Sequence, residues 1–159
     1  MNGSGLFWGF IVFLVVLHLI LRVSLGLGAG APDLLTVAVL LSARRSRPAV
    51  AAGIGLVLGL LRDALALGPF GTAAVVLIVL GYLGSRTRDL FEGESLLFTL
   101  VYLFVGVWLH DAAWALIRGE LMGGQLASLL VTGPLLAAGY AAVAGTVLLF
   151  GYRVTLATR

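Results

Sequence analysis

The chain has 159 residues, of which 61% are hydrophobic and 11% charged, and its mean hydropathy is +1.14. A soluble domain is about half apolar and about a quarter charged. So small a chain cannot hide this much apolar surface from water, and disorder requires the opposite composition. Six membrane spans of about 20 residues would take about 120 of the 159 positions. The composition therefore predicts an all-α polytopic membrane bundle, a single integral-membrane domain over 1–159.

The ten basic residues are all Arg, against seven acidic residues and a net charge of +3. They are scattered through loops with no basic stripe, which argues against nucleic acid as a partner. The absence of cysteine removes disulfides, thiolate metal sites and thiol nucleophiles.

Apolar runs and their breaks predict six helices. The first covers about 6–25 and is followed by a Gly/Ala link. Pro32-Asp33 opens the second, over 33–43. Arg44-Arg45-Ser46-Arg47-Pro48 forms a hydrophilic turn before the third, over 49–67. Gly68-Pro69-Phe70-Gly71 breaks the chain, and the fourth helix covers 70–84. The most charged stretch, 85–94, precedes the fifth helix over 95–117, and the sixth covers 126–152. The second is about half a span long, so a short, tilted or re-entrant segment and a five-span topology are the alternative. Ala29-Gly30-Ala31 resembles a signal-peptidase site. However, the run before it is too long for a signal peptide and lacks an early positive charge, and Pro32 would follow the cut. The first helix is read as an uncleaved span.

Orientation follows from arginine placement, because cytoplasmic loops hold the excess of basic residues. With the N-terminus inside, Arg44, Arg45, Arg47, Arg86, Arg88, Arg153 and Arg159 are cytoplasmic. Only Arg22, Arg62 and Arg118 fall outside. Both termini are thus expected in the cytoplasm. Trp8, Tyr82 and Tyr152 fit an inner aromatic belt, and Phe70 and Trp114 an outer one.

Two stripes of small residues mark close helix contacts: Ala51, Gly55 and Gly59 on the third helix, and Ala137, Ala141 and Gly145 on the sixth. Such stripes let backbones approach in lipid. Internal packing is the simpler reading, and a partner-binding face the other.

Ionisable groups inside a membrane cost about 2.5–3.5 kcal/mol each at a helix centre and need a partner or a wet cavity. Here they are His18, Arg22, Asp33, Arg62, Asp63, His110 and Asp111, and all fall in the outer half of the bundle. Near helix ends, Arg22, Asp33 and Arg62 could snorkel to headgroups. Asp63 and Asp111 have short side chains and apolar neighbours. They are expected to pair with Arg22, Arg62 or His18, and Arg22 is the expected partner of Asp63. Two histidines without cysteine are read as hydrogen-bonded core residues rather than metal ligands. No nucleophile elbow, zinc helix or phosphate loop is present, so neither an enzyme nor a cofactor is expected.

Pro32-Asp33-Leu34-Leu35 opening a short apolar helix resembles the early motif of the MreD family of rod shape-determining proteins. Gly55, Gly59-Leu60-Leu61-Arg62-Asp63, Pro69-Phe70-Gly71 and Gly81-Tyr82 resemble the same family's pattern. That pattern is a Gly-rich helix ending in Asp, a break with Pro and Gly, and a Gly-Tyr at the next helix end. The resemblance covers about 32–88 by motif, and His110-Asp111 does not belong to it. It implies a non-enzymatic scaffold subunit of the bacterial cell-elongation complex in the inner membrane, supporting peptidoglycan synthesis. The implied partners are the single-span MreC, a RodA-type glycosyltransferase, a transpeptidase and MreB filaments. It also implies similarity in fold to the substrate-binding subunits of energy-coupling-factor vitamin transporters, which makes a small-molecule transport subunit the alternative function. Those subunits dock their partner through Ala-x-x-x-Ala on the first helix, and no Ala occurs here from 6 to 28. A membrane enzyme acting on lipid-linked substrates through the outer polar cluster is the third reading.

Overall fold

The structure, a computed structural model, describes residues 3–24, 31–66, 70–87, 95–117 and 133–157. These residues form six helices and no strand. Helix α1 runs Gly3–Leu19 and continues as a wider π turn over Ile20–Ser24. Helices α2 (Leu34–Ala43), α3 (Pro48–Leu65), α4 (Thr72–Arg86), α5 (Leu96–Ile117) and α6 (Gly133–Ala157) follow. Four are long and apolar enough to cross a membrane: α1, α3, α5 and α6. α2 and α4 have 10 and 15 residues.

Boundaries follow local chemistry. Pro48 sits in the first turn of α3, where its missing N–H costs nothing. α3 ends two residues earlier than the apolar run suggests, because Ala66 is extended (φ −102°, ψ 139°). α4 begins at Thr72 rather than at residue 70, because Gly71 takes the left-handed conformation at φ 98°. Glycine adopts that region without steric cost. Pro69 and 126–132, where the sixth helix was expected to start, lie outside the described residues. α6 runs past the expected end at 152 to Ala157.

Direction alternates from helix to helix. The C-terminal ends of α1, α3 and α5 meet the N-terminal ends of α2 and α4 around Asp33 and Asp63. At the other end Phe10 of α1 stacks on Tyr152 of α6 with centroids 4.7 Å apart. Ser85 of α4 donates to the Ser46 carbonyl after α2 at 2.6 Å. The start of α1 and the end of α6 therefore lie on the same side. We refer to the two sides as the Asp33 end and the Arg44 end.

α2 is the centre of the bundle. All ten of its residues are buried, and all five other helices pack against it. Ten residues rise about 15 Å, about half the hydrocarbon thickness. A helix this short leaves at least one of its ends at membrane depth, where unpaired backbone groups are costly. At the start, the Asp33 carboxylate accepts from the Thr36 N–H at 3.3 Å, and the Leu34 N–H donates to the Pro32 carbonyl at 2.8 Å. At the finish, Ser42 Oγ donates to the Val39 carbonyl at 2.8 Å and Tyr102 Oη to the Leu40 carbonyl at 3.0 Å. The Ser42 and Ala43 carbonyls accept from Arg45 and Ser46 N–H at 3.1 and 3.3 Å.

α3 and α4 pack backbone to backbone. A Cβ added at Gly55 would lie 2.1 Å from the Leu77 carbonyl oxygen. At Gly59 it would lie 2.3 Å from Ala74 Cα, and at Gly81 2.4 Å from the Ala51 carbonyl oxygen. On α6, Ala141 and Gly145 face the core, where a Cβ on Gly145 would meet Val37 at 2.8 Å. Ala137 does not: it is exposed, and Ala138 takes the core position. Stepping by four residues drifts about 40° per step against a 3.6-residue turn, and two steps carry Ala137 off the buried face.

Gly59→Ala is expected to lower stability by about 1–3 kcal/mol, since the clash is with backbone that cannot turn aside. Gly53→Ala, with nothing near its Cβ position, is the matched control. Thermal unfolding in detergent should show a drop of several degrees for the first and none for the second. Equal midpoints would mean that the α3–α4 contact is not tight.

Candidate functional site

Polar side chains from four helices converge at the Asp33 end. Asp33 precedes α2, and its Oδ2 accepts from Thr36 Oγ1 at 2.7 Å. Arg62, near the end of α3, forms an ion pair with that same oxygen, and its Nη1 lies 3.4 Å from Thr36 Oγ1. Both charged side chains are mostly buried, at 14% exposure. His110 of α5 is fully buried. Its Nδ1 lies 3.0 Å from Asp111 Oδ1 and 3.8 Å from Asp33 Oδ2, so the ring stands between two carboxylates. His18 of α1 is also buried, and its Nδ1 donates to the Pro32 carbonyl at 3.3 Å. The Nε2 atoms of His18 and His110 are buried without a partner among the described residues.

Asp63 does something other than the expected ion pairing. It accepts three backbone N–H groups at the start of α4: Gly71 at 3.0 Å, Ala73 at 3.0 Å and Ala74 at 3.1 Å. A carboxylate there satisfies amides with no intrahelical partner and faces the positive end of the helix dipole. Arg22 makes no ion pair with a described residue. It sits in the π turn, so its four-residue spacing from His18 spans a wider turn than an α-helical one. Arg62 and Asp63 are thus adjacent on α3 but serve different neighbours, α2 and α4.

Of the expected site residues, His18, Pro32, Asp33, Arg62, His110 and Asp111 come together. Asp63 and Gly71 form the separate cap of α4, and Tyr82 is exposed at the far end of that helix, where its Oη lies 3.3 Å from Arg86 Nη2. Thr36 was not among the expected residues. Its signal was the Asp-x-x-Thr spacing from Asp33, which places its hydroxyl and N–H over the capping carboxylate as in a capping box.

Asp33, His110 and Asp111 each offer a ligand atom, all within 4.8 Å of one another, so in number and spacing they could hold a metal ion. The Arg62 guanidinium engages the same Asp33 oxygen that faces His110. A cation placed there would sit against a fixed positive charge. The arrangement fits a network joining helices better than a metal centre.

A family model described as rod shape-determining protein MreD matches residues 2–119. The match spans α1 to α5 and every member of the polar cluster. No curated protein and no solved structure gives a match.

Two double-mutant cycles on stability separate the two carboxylates. Asp33→Ala and Arg62→Ala should couple by about 1–3 kcal/mol, because each leaves the other charge unpaired. Asp63→Ala should cost on the order of 2 kcal/mol by uncapping α4, and its effect should add to that of Arg22→Ala. Coupling between Asp63 and Arg22 would restore the ion pair that the geometry replaces.

Proposed function

The chain belongs to the MreD family of rod shape-determining proteins, and we propose that it is a non-enzymatic scaffold subunit of the cell-elongation complex. Rod-shape determination is the family's role. The finer proposal is that this chain lies in the bacterial inner membrane with both termini cytoplasmic, and that it holds a single-span MreC-like protein. Through that complex it would support peptidoglycan synthesis beside a RodA-type glycosyltransferase, a transpeptidase and MreB filaments.

The family match over residues 2–119 carries this reading. Two physical features support it. The polar groups of the Asp33 end are engaged largely with one another, which suits holding helices in place. The outward faces of α1, α3 and α6 expose large apolar side chains, among them Val12, Val57 and Val147 at 61–64%. In lipid, partner helices associate through close packing on such lateral surfaces.

Affinity purification of the tagged chain in mild detergent tests the proposal. The expected companion is a single-span protein with a coiled-coil segment. Recovery of an ATPase module instead would favour the transport-subunit reading. Reporter fusions at residues 1 and 159 test the orientation. Both should report cytoplasm, and an active alkaline phosphatase at residue 159 would overturn it.

A further inference from the structure

The Arg44 end carries a feature that the scaffold role does not use. Between the start of α1, the end of α2 and the end of α6 lies a cavity of about 460 Å³, within the size range of small-ligand pockets. Arg44, Arg45 and Arg153 line it together with Phe7 and Tyr152. No acidic residue is among the described lining, and Asp33, Asp63 and Asp111 all lie at the opposite end of the bundle. Neither Arg44 nor Arg45 forms an ion pair with a described residue.

Among the described residues, the guanidiniums of Arg44 and Arg45 are held by aromatic and polar neighbours. Arg45 lies 4.1 Å over the Phe7 ring. Arg44 lies 5.5 and 5.7 Å from the Phe98 and Tyr102 rings, and its Nη1 lies 3.4 Å from Thr99 Oγ1. Contacts with ring faces leave guanidinium N–H groups available for in-plane bonding. Tyr152 is fixed by its stack on Phe10, yet its hydroxyl is buried without a hydrogen-bond partner among the described residues. A buried hydroxyl in that state is costly and is satisfied by an acceptor.

We propose that this cavity is an anion site that takes a phosphate group, bound by Arg44, Arg45 and Arg153 and accepting a hydrogen bond from Tyr152. Guanidinium groups match phosphate oxygens in pairs. In the orientation proposed above, the cavity opens at the cytoplasmic leaflet, where basic pockets between helices meet anionic headgroups. The phosphate can belong to such a headgroup or to a free phosphate ester, and both present the same oxygens.

The test uses the purified full chain in detergent and follows its melting midpoint during titration. One arm adds short-chain phosphatidylglycerol, a second adds inorganic phosphate, and a third adds sodium chloride at matched ionic strength. A saturable rise with phosphatidylglycerol alone supports the site with a lipid source. A saturable rise with inorganic phosphate as well supports it with a free source. Arg45→Gln should weaken the response about tenfold, the value of one charge-assisted hydrogen bond. Tyr152→Phe should weaken it a few-fold, while Arg47→Ala, outside the cavity lining, should leave it unchanged. Unliganded midpoints establish that each variant folds. The proposal is overturned by no response to either phosphate source. It is equally overturned by a response that sodium chloride reproduces, or one that survives unchanged in both Arg45→Gln and Tyr152→Phe.

Discussion

A helix of ten residues cannot reach across a bilayer, and at least one of its ends must lie where water does not reach. α2 meets this constraint by being enclosed: every residue is buried and every other helix touches it. Several of its terminal backbone groups are then bonded within the protein. Asp33 and Thr36 close the first turn, and Ser42, Tyr102 and the following turn close the last. The outer helices inherit their positions from this centre. α3 is tied to it through Arg62 and Asp33, α5 through Tyr102 at one end and His110 at the other, and α1 through His18.

The two carboxylates at the end of this core divide the labour. Asp33 caps α2 and binds Arg62, so it joins two helices by charge. Asp63 caps α4 with three amides, so it fixes the reversal between α3 and α4. The glycines of α3 and α4 then bring the two backbones into direct contact, which needs that reversal to be held in register. The result is a bundle in which Asp33, Arg62 and Asp63 are mostly buried and the described outer faces expose large apolar side chains. Such a body can act on its neighbours through packing in the membrane.

The helical segments were legible because apolar runs of span length, broken by Gly, Pro and Arg clusters, leave few alternatives. The short second helix was legible as half a span, though not as the buried hub, since burial on all sides and exposure to lipid both select apolar residues. The meeting of Asp33, Arg62 and His110 was only partly legible. Depth could be read from position along each helix, whereas azimuth could not. Asp63 was assigned a cation because ion pairing is the usual need of a buried carboxylate. The competing solution, the free amides of α4, depends on a chain reversal that residue spacing alone does not specify. Ala137 was misplaced by a four-residue stripe extended further than helical geometry carries it. The Arg44 cavity was missed because its arginines were read for their value in setting topology.

The central claim is that α2 is the most protected element despite being the shortest. Amide hydrogen exchange of the chain in detergent, resolved over 34–43, tests it most directly. The account predicts that these amides exchange more slowly than those of α1 or α6. It also predicts that Asp33→Ala releases the first turn of α2 before any other helix opens. Exchange over 34–43 as fast as at the ends of the outer helices would contradict it.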